Sequence, residues 1–340
     1  MIIVMKSRSD ESCINKVIKK IEDMGYETHV IKGVERTVIG AVGDERNKMQ
    51  LQTLENYEGV EKVVPILAPY KLVSKEGRPE KSKVKITDDL YVGGDEIISI
   101  AGPCSVESED LVIDIAKNVK KAGANMLRGG AFKPRTSPYA FQGFGVDGLK
   151  ILAKARDITG LPIVSEILDQ HDIPYFEDFV DVIQVGARNM QNFALLKKLG
   201  KVNKPILLKR GMCAKMEEWL FAAEYILAGG NERVILCERG IRTFETATRN
   251  TLDLNSVPVL REKTHLPILI DPSHGTGHWS YVEPLSKASI AVGADGVIIE
   301  VHPDPANALS DGAQSLKYDN FENLIKSIKP VAEAVGRKVY

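Results

Sequence analysis

From about residue 95 onward, the chain contains eight short apolar runs, and each run ends in polar or charged residues. The runs end near residues 101, 128, 165, 185, 208, 237, 270 and 299. Runs of about four apolar residues are typical of parallel strands that are buried on both faces. Segments with a helical spacing of apolar positions separate them, so the pattern predicts alternating strands and helices. Such an α/β fold is either a closed (β/α)8 barrel or an open, doubly wound sheet.

Length and the first turn favour the barrel. Eight evenly spaced units match the roughly 250 residues of a typical (β/α)8 barrel. The first strand-to-helix turn also lacks the glycine-rich pattern of a doubly wound dinucleotide-binding sheet. In a barrel, active-site residues follow the carboxyl ends of the strands. The predicted helices are Glu109–Ala122, Val146–Thr159, Ile173–Phe179, Asn192–Leu199, Met216–Ala228, Thr246–Leu252, Ser280–Ala291 and Phe321–Val335.

The first 67 residues have a different pattern, with the order strand, helix, strand, strand, helix, strand. This order is that of a split βαβ, ferredoxin-like unit. Ser9 or Asp10 is the expected cap of the first helix. The other predicted elements are strands at Ile2–Met5, Glu27–Ile31, Thr37–Val42 and Val60–Leu67, and a helix over Glu45–Asn56. We therefore expect a ferredoxin-like α+β domain at 1–67, a Lys-, Glu-, Ser- and Pro-rich linker at 68–94, and the barrel at 95–340.

Composition and charge exclude several classes of protein. Of the 340 residues, 44% are hydrophobic and 27% charged, which is typical of a globular protein. The formal net charge of −1 gives no long-range attraction to nucleic acid. No apolar run is long enough to cross a membrane, and the start lacks the pattern of a signal peptide. The four dispersed cysteines are expected to be reduced thiols of a cytoplasmic protein.

Four potential metal ligands follow strands that would be neighbours in a barrel. Cys104 follows the first strand, His274 the seventh and Glu300 the eighth, and Asp311 lies in the loop beyond. Thiolate, imidazole and carboxylate together suit one divalent transition-metal ion, such as Mn, Fe, Co or Zn, better than Ca or Mg. Each residue taken alone has an ordinary structural explanation, since a lone cysteine is usually a small core residue.

Cations follow strands two, four, five and six. An unpaired cation at the end of a buried strand is costly, so these side chains require anions. A phosphorylated substrate with a carboxylate would supply them, and so would neighbouring acids such as Glu166, Glu238 or Asp271. Proline stiffens the loop Lys133–Pro138, in which the Thr136 hydroxyl is a further donor for a phosphate. The cations are Arg128, Lys133, Arg135, Arg188, Lys209 and Arg239.

Several of these residues lie in motifs that resemble those of the 3-deoxy-D-arabino-heptulosonate 7-phosphate (DAHP) synthase family. The motifs occur in the family's order over about residues 97–315, and the first 67 residues resemble the ferredoxin-like regulatory domain of one branch. They are Gly102-Pro103-Cys104-Ser105, Leu127-Arg128-Gly129-Gly130-Ala131-Phe132-Lys133-Pro134-Arg135-Thr136-Ser137-Pro138, Gly186-Ala187-Arg188-Asn189, Leu208-Lys209-Arg210-Gly211, Cys237-Glu238-Arg239-Gly240, Asp271-Pro272-Ser273-His274 and Ile299-Glu300-Val301-His302.

The resemblance implies the first reaction of the shikimate pathway to aromatic amino acids. Phosphoenolpyruvate (PEP) would condense with erythrose 4-phosphate and release phosphate. Cys104, His274, Glu300 and Asp311 would bind the metal. Arg188 and Arg239 would hold the PEP phosphate, and Arg135 and Thr136 the sugar phosphate. Arg128, Lys133 and Lys209 would face the PEP carboxylate and the reacting carbons. We expect these three residues and Asp271 to be the catalytic residues.

Alternatives remain open at this point. The sister enzyme that makes 3-deoxy-manno-octulosonate 8-phosphate from arabinose 5-phosphate shares the barrel, but its corresponding loop typically reads Lys-Ala-Asn-Arg-Ser. A metal-dependent hydrolase usually requires several histidines, and only six occur in the whole chain. A non-catalytic ligand-binding barrel would not need this combination of cations and metal ligands. The ferredoxin-like domain is either a sensor of tyrosine or phenylalanine or a structural cap, and the resemblance implies a homotetramer.

Overall fold

The chain divides into two compact units. Unit 1 comprises Met1–Lys81 with Glu262–His265, and unit 2 comprises Ser82–Arg261 with Leu266–Tyr340. No helix in the described part of the chain is long and apolar enough to cross a membrane. The computed structural model describes residues 1–7, 9–33, 36–43, 45–64, 69–135 and 137–340, with the backbone alone described at 45–49.

Unit 1 contains a four-stranded antiparallel sheet in the order β2-β3-β1-β4. Asp10 caps helix α1 (Glu11–Asp23), since its carboxylate accepts a hydrogen bond from the Cys13 amide. Glu45–Asn56 is helical as predicted but forms a 3-10 rather than an α-helix. The predicted end of the last strand at Leu67 lies outside the described residues. The strands are β1 (Ile2–Met5), β2 (Glu27–Lys32), β3 (Thr37–Val42) and β4 (Val60–Val64).

Unit 2 is the predicted (β/α)8 barrel. Its eight parallel strands follow one another around the barrel, and β14 closes it by pairing with β7. The closing register places Glu300 opposite Gly102, which is two residues before Cys104. The barrel strands are β7 (Glu96–Gly102), β8 (Met126–Arg128), β9 (Ile163–Ile167), β10 (Val182–Val185), β11 (Ile206–Lys209), β12 (Val234–Glu238), β13 (Ile268–Ile270) and β14 (Gly296–Glu300).

A short hairpin precedes the barrel, within residues 68–94. Its strands β5 (Val84–Lys85) and β6 (Tyr91–Val92) pair antiparallel. Val84, Leu90 and Val92 are buried in the same hydrophobic cluster as the strand residues of the barrel interior. At the other end of the chain, β15 (Lys338–Val339) pairs with the start of β7.

The barrel helices agree with the predicted pattern except after β12. The helix predicted over Thr246–Leu252 is wrong, because this segment is irregular and a helix starts at Ser256. Threonine and asparagine compete locally for backbone groups, and the Thr248 hydroxyl donates to the Asn250 carbonyl. The helices are α2 (Glu109–Ala122), α3 (Val146–Thr159), α4 (Ile173–Phe179), α5 (Phe193–Leu199), α6 (Met216–Ala228), α7 (Ser256–Lys263), α8 (Pro272–Thr276), α9 (Trp279–Ala291) and α10 (Tyr318–Ala334).

Helix α8 is a single helical turn that was not among the predicted helices. Asp271 is its N-cap, and the Asp271 side chain accepts a hydrogen bond from the His274 amide. Pro272 occupies the first turn, and Gly277 ends the helix in the left-handed conformation. These are the usual start and stop signals of a helix. The turn fixes His274 directly above the end of β13.

Candidate active site

Three donor atoms meet where the first and last barrel strands pair. Cys104 Sγ, a Glu300 oxygen and an Asp311 oxygen all lie within 4.8 Å of one another. Cys104 and Glu300 are buried, and Asp311 is partly buried. Soft sulfur and hard oxygen donors around a common point fit a divalent transition-metal ion.

His274 lies beside these three donors, next to Glu300, and we call the four residues the seam cluster (Cys104, His274, Glu300, Asp311). His274 Nδ1 lies 2.7 Å from Asp271 Oδ2, and Nε2 lies 3.4 Å from Glu300 Oε1. The Asp271 carboxylate can only accept, so the hydrogen of neutral His274 is on Nδ1. The lone pair of Nε2 therefore faces a carboxylate oxygen, and a cation between the two atoms would relieve their repulsion.

The electrostatics of the seam cluster also fit a metal. Burial opposes ionisation of Glu300, but His274 and Arg128 beside it bring its pKa below the ordinary value. Burial lowers the pKa of His274, which favours the neutral imidazole that binds metals. Burial, followed by the charge of Glu300, raises the pKa of the Cys104 thiol to about 11. A bound cation would convert that thiol to the thiolate.

Asp311 lies in a loop whose ends are joined at the base. The His302 amide donates to the Leu316 carbonyl, and the Leu316 amide donates to the Glu300 carbonyl. Asp311 has φ 52° and ψ 33°, and it is the non-glycine residue with positive φ in the described part of the chain. Such backbone conformations concentrate at functional sites, and aspartate tolerates them better than most residues.

Lys209 and Asp271 form a buried ion pair beside His274. Lys209 Nζ lies 2.5 Å from Asp271 Oδ2, the oxygen that also accepts from His274 Nδ1. Burial opposes ionisation of Asp271, but His274 and Lys209 bring its pKa well below the ordinary range. Asp271 therefore links a cation at the end of β11 to a potential metal ligand above β13.

Arg128 and Lys133 lie directly against the seam cluster. Arg128 Nη1 lies 2.7 Å from Glu300 Oε1, and Nη2 donates to the Cys104 carbonyl over 3.1 Å. Lys133 Nζ lies 2.9 Å from the same carbonyl and 3.0 Å from Cys104 Sγ. Lys133 is buried and forms no salt bridge with a described carboxylate.

Arg239 is a second buried cation that forms no salt bridge within the described part of the chain. It is 5% exposed, and its Nη1 donates to the Gly240 carbonyl over 3.3 Å. No salt bridge joins it to an acid among the described residues, and burial lowers its pKa. Arg210, also buried, instead contacts both Glu238 and Asp253. Of these two neighbouring arginines, Arg239 is therefore the one positioned to receive an external anion.

The other predicted anion contacts lie in loops. Arg188 is exposed on a short 3-10 turn after β10. Arg135 Nη2 donates to Ser310 Oγ over 2.6 Å, and its Nε donates to the Phe141 carbonyl. Thr136, expected beside Arg135, lies outside the described residues.

Glu166, which lies near the end of the third barrel strand β9, has a structural explanation. Its Oε2 accepts from Gln184 Nε2 over 3.2 Å. A Cβ on Gly186 would lie 1.8 Å from Glu166 Oε1, so this carboxylate occupies space that only glycine leaves free. Of the acids that the sequence offered as partners for the cations, Asp271 and Glu238 are used, by Lys209 and Arg210.

Comparison with known proteins shows the family. A model described as the DAHP synthetase I family matches residues 80–336, and one described as the DAHP synthase ferredoxin-like domain matches residues 1–68. The chain belongs to the DAHP synthetase I family. This result confirms the family resemblance of the sequence motifs. It also confirms the predicted barrel and the predicted ferredoxin-like domain.

Relatives in the DAHP synthetase I family include a full-length match. Phospho-2-dehydro-3-deoxyheptonate aldolase of Thermotoga maritima is 51% identical over 339 residues, which cover 100% of both chains. A crystal structure of that enzyme, also titled DAHP synthase, has a TM-score of 0.79 and covers 100% of this chain and 99% of its own. 2-Dehydro-3-deoxyphosphooctonate aldolase of Syntrophotalea carbinolica is 34% identical and covers 73% of this chain and 95% of its own.

Beside the motif residues shared with the DAHP synthetase I family, three further side chains contact the site and were not predicted. Ser310, Gln314 and Arg249 all lie within hydrogen-bond or ion-pair distance of the seam cluster. Ser310 and Gln314 flank Asp311 in its loop. Arg249 lies in the irregular segment where a helix was predicted, so its orientation depends on a loop conformation that periodicity does not show.

Proposed function

We propose that this chain condenses PEP with erythrose 4-phosphate to form DAHP and inorganic phosphate. The observation that supports this most is a pair of buried cations, Lys133 and Arg239, that form no salt bridge with a carboxylate among the described residues. Cations placed in this way beside potential metal ligands suit a substrate that has both a phosphate and a carboxylate. The 51% identity to the Thermotoga maritima enzyme over the full length of both chains supports the same reaction.

The proposed roles are those that the family resemblance implies. Arg239 and Arg188 bind the PEP phosphate, while Arg128, Lys133 and Lys209 face its carboxylate and the reacting carbons. Arg135 binds the phosphate of erythrose 4-phosphate together with Thr136. Fixed cations align the two substrates, which is the main requirement for a weak carbon nucleophile.

The reaction joins C3 of PEP to the aldehyde carbon of the sugar. The aldehyde oxygen takes up a proton, and Lys133, whose Nζ lies 3.0 Å from Cys104 Sγ, is the candidate donor. Water adds to C2 of PEP, where positive charge develops, and the resulting tetrahedral centre expels phosphate. Asp271 holds Lys209 and His274 in place while the charges change.

The residues of the seam cluster fit a resident metal ion, and we propose Mn, Fe, Co or Zn as the cofactor. Such an ion, when bound, supplies a Lewis acid that polarises the aldehyde. Asp271 contributes by keeping the hydrogen of His274 on Nδ1, so that Nε2 is available as a ligand.

Erythrose 4-phosphate is preferred to arabinose 5-phosphate for two reasons. The loop after β8 reads Lys133-Pro134-Arg135, as in the DAHP synthases. The 2-dehydro-3-deoxyphosphooctonate aldolases are also more distant, at 34% identity or less in the examples compared.

An assay with purified protein tests the activity. With PEP, erythrose 4-phosphate and Mn²⁺, we expect one phosphate released for each PEP consumed, and little turnover with arabinose 5-phosphate. Thorough treatment with EDTA should abolish activity, and a divalent transition metal should restore it. Preference for arabinose 5-phosphate would overturn the substrate assignment, and full activity after chelation would overturn the metal assignment.

Regulation by tyrosine or phenylalanine is the proposed role of unit 1. A cavity of about 440 Å³ in this unit combines an apolar wall with charges of both signs, as an amino-acid effector requires. The cavity is lined by Val4, Ile31, Lys32, Arg36, Val38, Lys62, Val64, Glu76, Arg78 and Glu80, among others.

The family resemblance also supports a homotetramer in the cytoplasm. Light scattering would test the oligomeric state, and cell fractionation would test the location.

A further inference from the structure

Gln314 connects two residues of the seam cluster, Glu300 directly and Asp311 through Arg249. Its side chain is 2% exposed and hydrogen-bonds to Glu300 on one side and to Arg249 on the other. Arg249 in turn forms an ion pair with Asp311. We propose that Gln314 is a positioning residue, which sets the orientation of Glu300 and, through Arg249, of Asp311 for metal binding. This inference rests on the proposed metal-dependent function.

The two oxygens of Glu300 have different partners. Oε1 lies 2.7 Å from Arg128 Nη1 and 3.4 Å from His274 Nε2. Oε2 lies 2.6 Å from Gln314 Nε2. A guanidinium readily binds both oxygens of one carboxylate, which would turn Glu300 away from His274. The hydrogen bond from Gln314 keeps Oε2 apart from Arg128 and leaves Oε1 directed at His274 Nε2.

The orientation of the Gln314 amide follows from its neighbours. Arg249 Nη1 lies 2.8 Å from Gln314 Oε1, and a guanidinium can only donate hydrogen bonds. The amide oxygen must therefore face Arg249, and the NH₂ group must face Glu300, which as a carboxylate only accepts. Both contacts are satisfied by one orientation, so the amide cannot rotate without losing two hydrogen bonds in a buried place.

The same arginine fixes Asp311. Arg249 Nη1 lies 3.3 Å from Asp311 Oδ1, while Asp311 Oδ2 lies 3.4 Å from Cys104 Sγ. Room for Arg249 comes from Gly277, where a Cβ would lie 2.5 Å from the Arg249 Cβ. One buried amide thus coordinates the placement of two carboxylates from different parts of the barrel rim.

The test is a titration of the full-length, metal-free protein with Co²⁺, followed by the absorption of the Cys104 thiolate–cobalt bond. Gln314→Met keeps the approximate volume but removes both hydrogen bonds. Gln314→Asn keeps the amide but is too short to reach both partners. We expect either variant to bind Co²⁺ about 10- to 100-fold more weakly than the unmodified chain. The control Gln170→Met, at a partly exposed position, should bind as the unmodified chain does.

Three outcomes separate the possibilities. Weaker binding with an unchanged melting temperature in the absence of metal supports positioning, because a purely structural role would lower that temperature and leave the affinity intact. Unchanged affinity in a folded Gln314 variant overturns the inference but leaves the proposed function standing. If the unmodified chain shows no thiolate–cobalt absorption, the metal assignment itself is overturned, and the inference with it.

Discussion

Arg135 donates a hydrogen bond to the hydroxyl of Ser310 over 2.6 Å. The same hydroxyl oxygen lies 3.1 Å from Cys104 Sγ. Both the arginine and the Cys104 thiol donate to this oxygen, so the Ser310 hydroxyl accepts a hydrogen bond from each. Ser310 therefore joins the proposed binding residue for the sugar phosphate to a proposed metal ligand.

Replacing Ser310 by alanine should raise the KM for erythrose 4-phosphate about tenfold, because Arg135 loses a fixed partner worth about 1.5 kcal/mol. The KM for PEP should not change. Initial rates with each substrate varied in turn measure both values. The control is Ser105→Ala, since the buried Ser105 hydroxyl has no hydrogen-bond partner among the described residues. An equal rise in both KM values would contradict the assignment.

Asp271→Asn should lower kcat by about 100-fold and weaken metal binding. The asparagine amide has no charge to balance Lys209. If its NH₂ group faces His274, it cannot accept the hydrogen on Nδ1, so the hydrogen bond that orients the imidazole is lost. Steady-state kinetics at increasing Mn²⁺ concentrations separate the two effects. Activity close to that of the unmodified chain would show that Asp271 does not orient these side chains.

Arg239→Met should weaken PEP binding by about 100-fold while stabilising the folded chain. The buried guanidinium lacks a carboxylate partner among the described residues, so removing its desolvation cost should add about 1 kcal/mol to the free energy of unfolding. Calorimetric titration with PEP and urea denaturation test the two parts. Arg233→Met, at a partly exposed arginine, is the control. Normal PEP affinity in Arg239→Met would remove the basis for the anion site.

Acidification should destabilise unit 1 through His265. Its Nε2 lies 2.8 Å from the Leu72 carbonyl, and burial lowers its pKa from 6.5 to about 4. The unfolded chain therefore binds a proton more readily, so this stability is present above pH 6.5 and is lost as the pH falls toward 4. Between pH 7 and pH 5 the loss should be about 2 kcal/mol. Urea denaturation of the unmodified chain and of His265→Gln at pH 7 and pH 5 measures this loss of stability. An identical pH dependence in the variant would show that His265 is not its cause.

Deletion of residues 1–70 should preserve condensation and abolish inhibition by tyrosine or phenylalanine. A solved structure of a truncated Thermotoga maritima enzyme, which covers 79% of this chain, supports an independently folded barrel. Rates with and without each amino acid, for full and truncated chains, make the comparison. A truncated enzyme that tyrosine still inhibits would refute the sensor role of the ferredoxin-like domain.

The strand ends were predictable because buried parallel strands leave a strong local signal. The sequence alone therefore assigns Cys104, His274 and Glu300 to neighbouring strands. The irregular segment after β12 was not predictable in this way, since its conformation depends on side-chain bonds such as that of Thr248 to Asn250. Gln314 left no signal either, because a buried amide that bridges two loops has no periodicity or characteristic spacing.

The pairing of β14 with β7 gives the seam cluster a further consequence for folding. Cys104 and Asp311 are 207 positions apart, so their donors come together only after the barrel has closed. A bound ion would then act as a reversible cross-link between the two ends of the barrel sequence, with a loop-closure entropy comparable to that of a disulfide.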